Sequence, residues 1–329
     1  MDSHEERHVV VATHGHCFDG LCSAALFTRL LRHVEKGALR FTYTGCGYGP
    51  GAGVVEPKVL GGDVNAILDF RFSPAPQLTW YFDHHVSAFS GKGEREAYDA
   101  RVSGASGART FFHDGAYGSC TKLIADVGAK HFDLDPEPTR DLVRWADMID
   151  SASFPSAEFA VARQEPVLQL MTVVEHYADD TFLTKMVPRL LEEPIESLAR
   201  GPDVVASYAP LGEHHEAFVE LVRAKAQDRG TVVYVDLTDR LLDVAGKFVT
   251  YALFPQSSYS VLVSRSKSKC KISIGYNPWA PAPRKHNIAA ICERFGGGGH
   301  PVVGAITLPA DASAKAQEIA RAVAAELAT

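Results

Sequence analysis

Long apolar runs are missing from this chain: none approaches the ~20 residues a membrane-spanning helix needs, so no membrane partner is expected. Positive charge is not in excess either. The 33 lysines and arginines face 40 acidic residues, for a net charge of -7. That balance excludes a global positive field able to hold long duplex nucleic acid, although a local basic groove for a short anionic substrate remains compatible with it. Cysteine is sparse. Cys17, Cys22, Cys46, Cys120, Cys270 and Cys292 form no CxxC pair, which argues against a disulfide framework and for reduced thiols in a cytoplasmic protein. The start, "MDSHEERHVVVATHG", has no signal-peptide anatomy. There is no internal repeat and no low-complexity tract beyond one run of four glycines. What is present is ordinary globular material: 329 residues, 46% hydrophobic and 22% charged, with length enough for a sizeable core and two domains.

The order of elements points to α/β architecture. The β-branched run 8–13 reads as a buried parallel strand. A helix follows over 21–36, with Leu21, Ala24, Ala25, Thr28 and Leu31 along one face. Further strands are expected at 38–45, 65–70 and 78–85, a glycine-rich loop at 46–53, and helices at 119–128, 138–150 and on to about 195. Strands alternating with helices predict a doubly wound, mostly parallel sheet over residues 1–195. Two prolines and a glycine in 193–203 mark a transition, and 196–229 reads as a helical linker. Strands at 231–237, 259–266 and 269–277, then helices at 285–295 and 311–328, predict a smaller α/β domain with a mixed sheet over 230–329.

The polar residues of the first domain gather at the ends of these elements. His14, His16 and Asp19 follow the first strand, Asp69 the third, and Asp83, His84 and His85 the fourth; Asp147 and Asp150 end a helix. Carboxyl ends of parallel strands share one edge, where ligands bind. Each residue alone has a bland explanation: Asp19 as a helix cap, Asp69 as a turn residue, the histidines as a structural pair. Together they make a set of imidazoles and carboxylates suited to Mn, Fe or Zn. A pair of such metals ~4 Å apart can serve an in-line phosphoryl displacement. In the second domain, four consecutive glycines are costly in chain entropy. They form either a plain turn or a backbone nest for an anion.

"HGHCFDG", "ILDF", "FDHH" and "WADMID", followed by "FGGGGHPVVGAI" at 295–306, resemble the motifs of the DHH phosphoesterase superfamily with its DHH-associated carboxy-terminal domain, in an oligoribonuclease-like (nanoRNase) branch. The order and spacing match across nearly the whole chain. The resemblance implies two divalent metal ions, foremost Mn2+ with Fe, Co or Zn as alternatives, held by His14, His16, Asp19, Asp69, His84 and Asp147, with Asp150 as the alternative to Asp147. It implies that His85 meets the scissile phosphate and that Asp83 orients a histidine. Substrate would be held by Gly297, Gly298, Gly299 and His300, with Asn277 nearby.

Two positions depart from the pattern. His16 stands where the superfamily usually has a carboxylate, and Gly275 and Tyr276 stand where an Arg-Ser pair usually grips phosphate, leaving Asn277, Arg284, Lys285 and His286 as substitutes. The implied activity is metal-dependent hydrolysis of phosphate esters of small nucleotides or short oligonucleotides in an interdomain cleft, in a chain that could pair as a homodimer. The alternative is a nucleotide- or metal-binding protein of the same fold with weak or lost catalysis.

Overall fold

The computed structural model describes residues 6–47, 53–104, 109–242, 246 and 248–329; most of the glycine-rich loop expected at 46–53 lies outside them. Two compact units are present, Met1–Ser153 with Glu165–Ala209, and Phe154–Gln164 with Pro210–Thr329.

The first unit opens with β1 (Arg7–His14), α1 (Phe18–Val34), β2 (Leu39–Cys46), β3 (Val64–Leu68), β4 (Trp80–Asp83), α2 (Glu94–Val102), β5 (Phe111–His113), α3 (Cys120–Phe132) and α4 (Arg140–Asp150). The chain gives α5 (Ala157–Ala162) to the second unit and returns for α6 (Pro166–Tyr177), α7 (Asp180–Glu192) and α8 (Ile195–Ala199). The helix α9 (Pro202–Lys225) contains Pro210, where the second unit resumes.

The five strands form an all-parallel sheet in the order β2-β1-β3-β4-β5, as the alternation of strands and helices predicts. Val9, Val11 and Ala12 of β1 are fully buried, as are Ala66, Ile67 and Leu68 of β3. Interior parallel strands bury both faces, which is why these segments are continuous apolar runs. The strand order reverses between β1 and β3. That switch point is where parallel sheets open a crevice at their carboxyl ends, and it is where His14 and Asp69 lie. Gly20 permits α1 to leave β1 at close range, because a Cβ there would collide with the His14 carbonyl oxygen. The strand β5 is only three residues long and was not legible from alternation.

The second unit adds β6 (Ala226–Asp228), β7 (Val232–Leu241), α10 (Val249–Leu253), β8 (Tyr259–Arg265), β9 (Lys269–Tyr276), α11 (Ile288–Glu293), β10 (Gly298–His300), β11 (Val303–Pro309) and α12 (Ser313–Leu327). Its six strands run β10-β11-β9-β8-β7-β6, with only β7 and β8 parallel, the mixed sheet expected. Ile272, Ile274 and Ile306 from the sheet pack with Ile319, Val323 and Leu327 of α12 in one core. Among the described residues no helix is long and apolar enough to cross a membrane.

Candidate metal centre

The centre is built from the carboxyl ends of β1, β3 and β4, with α1, α3 and α4 behind them. After β3 the backbone turns at Asp69, which takes the left-handed φ of 54°, rare for a residue with a Cβ and tolerated best by Asn and Asp. Its N–H donates to the Phe82 carbonyl at 2.9 Å, fixing the turn against β4. The buried carboxylate faces both ways: Oδ2 lies 3.5 Å from His14 Nδ1 and 3.6 Å from Cys17 Sγ, while Oδ1 lies 3.4 Å from His84 Nε2 and 3.7 Å from His85 Nδ1.

His84 is held by its other nitrogen, Nδ1, 3.1 Å from the Tyr117 carbonyl oxygen. That bond fixes the tautomer with hydrogen on Nδ1 and turns Nε2 inward, the arrangement typical of a ligating histidine. Nε2 sits 3.2 Å from Asp150 Oδ2 and 3.8 Å from Asp19 Oδ2. These approaches are close but none is aligned as a hydrogen bond. Both His84 Nε2 and Asp69 Oδ1 are buried without a hydrogen-bond partner. Buried polar atoms are rarely left so, since each costs ~1–3 kcal/mol. Two of them facing each other, ringed by imidazole nitrogens and carboxylate oxygens, fit a bound divalent cation.

Asp83 is fully buried. Its Oδ1 accepts from the His84 and His85 backbone N–H groups and lies 2.7 Å from His85 Nδ1; its Oδ2 accepts the Tyr81 hydroxyl at 3.0 Å. It therefore sets the direction of the His85 ring through Nδ1. Asp19 accepts the backbone N–H groups of Cys120 at 2.7 Å and Thr121 at 3.0 Å. It caps α3 across the fold and does not cap its own helix.

The electrostatics match the geometry. Burial pushes the Asp19 carboxyl well above the usual range, and Asp69 and Asp150 push it the same way. Burial would also raise Asp69, but His14 and His84 draw it down to about 2. His84 is lowered by burial, yet the carboxylates of Asp150 and Asp69 outweigh this and hold it at about 11. Burial and the nearby Asp69 and Asp19 carboxylates raise the Cys17 thiol. A patch that protonates imidazole and holds a proton on a carboxyl is short of positive charge, a deficit a divalent cation relieves.

Of the residues singled out in the first unit, His14, Asp19, Asp69, His84, His85 and Asp150, the alternative to Asp147, converge. Cys17 joins them: the groups close enough to share an ion are His14–Cys17–Asp69, Asp69–His84–His85 and Asp19–His84–Asp150. His16 is not among these. It takes a left-handed φ of 53° and is exposed at the turn. Asp147 is not among them either. Its carboxylate accepts the Ser119 hydroxyl at 3.2 Å, next to Gly118, where a Cβ would lie 2.8 Å from Asp147 Oδ1. Ser119 in turn caps α3 by accepting the Lys122 N–H.

In the second unit, Asn277 is buried, and its amide is spent on the Pro255 and Ser257 carbonyls and the Trp279 N–H. It braces a turn, and its side-chain amide is engaged within the unit. At Gly275 a Cβ would meet the Tyr251 hydroxyl, which Ser260 of β8 holds in place by a hydrogen bond. Arg284 donates to the His286 and Pro301 carbonyls. Gly297 and Gly299 lie so close to β11 that a Cβ would strike the Ala305 and Val303 carbonyl oxygens respectively, whereas a Cβ at Gly298 would meet open space, and His300 is exposed.

No protein-family model and no curated protein matches the chain. Solved structures do. The pGpG-specific phosphodiesterase PggH from Vibrio cholerae superposes with a TM-score of 0.66 at 18% identity, covering 98% of this chain and 99% of that one. A DHH domain from a member of a ribosomal-protein family gives 0.61 at 14%, covering 98% and 87%. RecJ from Thermus thermophilus, in complex with Mn2+, gives 0.55 at 12%, covering 97% of this chain and 52% of RecJ. At these identities the likeness is one of architecture: the chain has the fold of the DHH-domain proteins.

Proposed function

We propose that this chain is a metal-dependent hydrolase of phosphoester bonds acting on small nucleotides or short oligonucleotides. The single observation that carries the reading is the pair of orphaned buried atoms, Asp69 Oδ1 and His84 Nε2, inside a ring of carboxylates and imidazoles. His14, Asp69, His84, Asp19 and Asp150 would hold two divalent ions, with Mn2+ foremost and Asp69 shared. Bound there, such ions supply Lewis-acid polarisation of phosphoryl oxygens and acidify water at neutral pH.

The chain's own residues do the rest. Tyr117 keeps the His84 tautomer. Asp83 fixes the His85 ring through Nδ1 and, with Asp69, raises its pKa, favouring the imidazolium whose Nε2–H can donate to a phosphoryl oxygen, where negative charge grows in the transition state. Asp83 is thus a positioning residue. In the second unit, the open backbone at Gly298 and the exposed His300 side chain are available to an anionic or polar group. Among substrate classes, a linear dinucleotide comes first, because the superposed PggH is a pGpG-specific phosphodiesterase.

The test is a substrate panel with manganese-loaded protein, comparing linear and cyclic dinucleotides, nucleotide bisphosphates and a generic phosphodiester. The expected result is metal-dependent turnover, highest on a linear dinucleotide and abolished by chelation. Nucleotide binding without turnover in Mn2+, Fe2+, Co2+, Zn2+ or Mg2+ would leave a binding protein and overturn the enzyme reading.

A further inference from the structure

The loop from β1 to α1 places one more donor at the centre than that reading uses. We propose that Cys17 is a thiolate ligand of the metal centre and that it biases the centre toward thiophilic cations such as Zn2+, Co2+ or Fe2+ over Mg2+. The inference rests on the metal-centre reading and deepens it.

The first argument is placement. Cys17 occupies the residue just before α1, in extended conformation, where Ser, Thr, Asp or Asn would stabilise the helix by accepting a backbone N–H. Its side chain makes no such bond. The thiol turns instead toward Asp69, with Sγ 3.6 Å from Oδ2.

The second argument is convergence. Donor atoms of His14, Cys17 and Asp69 all lie within 4.8 Å of one another, close enough to serve a single ion. Asp69, common to this group and to the group with His84, is 1% exposed, and its Oδ1, on the His84 side, has no hydrogen-bond partner. This observation is independent of the cysteine and itself points to a ligand. Other thiols are placed differently: Cys120 Sγ faces the Phe82 carbonyl, Cys46 Sγ its neighbour Thr44, and Cys270 the Ala310 carbonyl and Ser313 hydroxyl.

The third argument is chemical identity. His16, expected to be a ligand of this loop, lies exposed outside the donor groups, and Cys17 takes the place expected of it. When the sulfur–metal bond forms, the thiol proton passes to solvent. A soft sulfur donor favours zinc and its neighbours, whereas Mg2+ prefers an all-oxygen shell.

The experiment is X-ray absorption at the zinc edge on the zinc-loaded full chain, with optical spectra of the cobalt-loaded chain, for the wild type, Cys17→Ser and Asp69→Asn. The proposal expects a sulfur scatterer at about 2.3 Å beside nitrogen and oxygen at about 2.0–2.1 Å. It expects a sulfur-to-cobalt charge-transfer band that Cys17→Ser loses while keeping its visible cobalt bands. Zinc affinity in that variant should fall at least about tenfold, the scale on which even outer partners matter. Zinc bound stoichiometrically through nitrogen and oxygen alone would overturn the role of Cys17 and leave the metal centre standing. Failure of the wild type to bind any of these cations would overturn both, and Asp69→Asn provides the reference for that outcome. Should Cys17→Ser fold poorly, the wild-type absorption spectrum decides the matter alone.

Discussion

The ends of β1, β3 and β4 and the glycine run Gly296–Gly299 leading into β10 are both dense in residues that motif reading ties to ligands, yet they are held by opposite means. At the first, folding alone gives no reason for the arrangement. Asp69 is buried in a left-handed conformation, its Oδ1 and His84 Nε2 lack partners, and several carboxylates crowd into one patch. At the second, packing suffices for part of the pattern: Gly297 and Gly299 are glycines because β11 leaves no room for a Cβ. Unsatisfied burial is a sign of a ligand site. A close-packed glycine is not, however well it matches a motif. The two regions therefore break differently.

The largest effect belongs to the first. Asp69→Asn keeps the shape and tolerates the left-handed backbone, so steady-state turnover should fall by more than about 100-fold with far-ultraviolet dichroism unchanged. Turnover within a few-fold of wild type would remove Asp69 from the centre. Next comes stability. Divalent metal at about 100 times its Kd should raise the unfolding free energy of the wild type by about 2.7 kcal/mol, and that of Asp69→Asn by far less, measured by urea unfolding with and without chelator. Gly297→Ala should show the same metal-dependent gain as the wild type.

The third contrast is in pH. The Asp69 carboxylate of the metal-free protein is depressed to about 2 from 3.8, so the folded state binds its proton less readily than the unfolded state. Its contribution is present above the unfolded value and is lost as pH falls through the folded one. Chelated wild type should lose on the order of 2 kcal/mol over that window, and Asp69→Asn should lose less. Equal acid slopes in the two would refute the burial of a charged Asp69. The smallest contrast lies within the glycine run. Gly297→Ala should cost about 1–3 kcal/mol through overpacking, and Gly298→Ala, facing open space, within about 0.5 kcal/mol. If Gly298→Ala raises KM without changing stability, the run holds substrate as well as β11.

Much of the first region was legible in the sequence because its residues terminate strongly patterned strands. The apolar runs of β1, β3 and β4 determine where His14, Asp69 and His84 emerge, and parallel pairing brings them together. Asp147 and Asp150 could not be separated in this way: three residues apart on α4, they share a helix face, and only the packing of α4 against Ser119 and His84 decides which carboxylate turns inward. Cys17 escaped because a thiol has no fixed reading without neighbours; its one local signal was an N-cap position held by a residue that caps poorly. Asn277 shows the limit at a strand end, where a polar residue looks alike in the sequence whether it meets a ligand or braces a turn, as its amide does here.

The most direct test of the metal centre is anomalous diffraction from crystals grown with Mn2+. Anomalous peaks are expected within bonding distance of the Asp69 carboxylate, one on the side of His14 and one on the side of His84 and Asp150. Well-ordered crystals that bind Mn2+ elsewhere, or show no peak at Asp69, would contradict the shared-carboxylate centre.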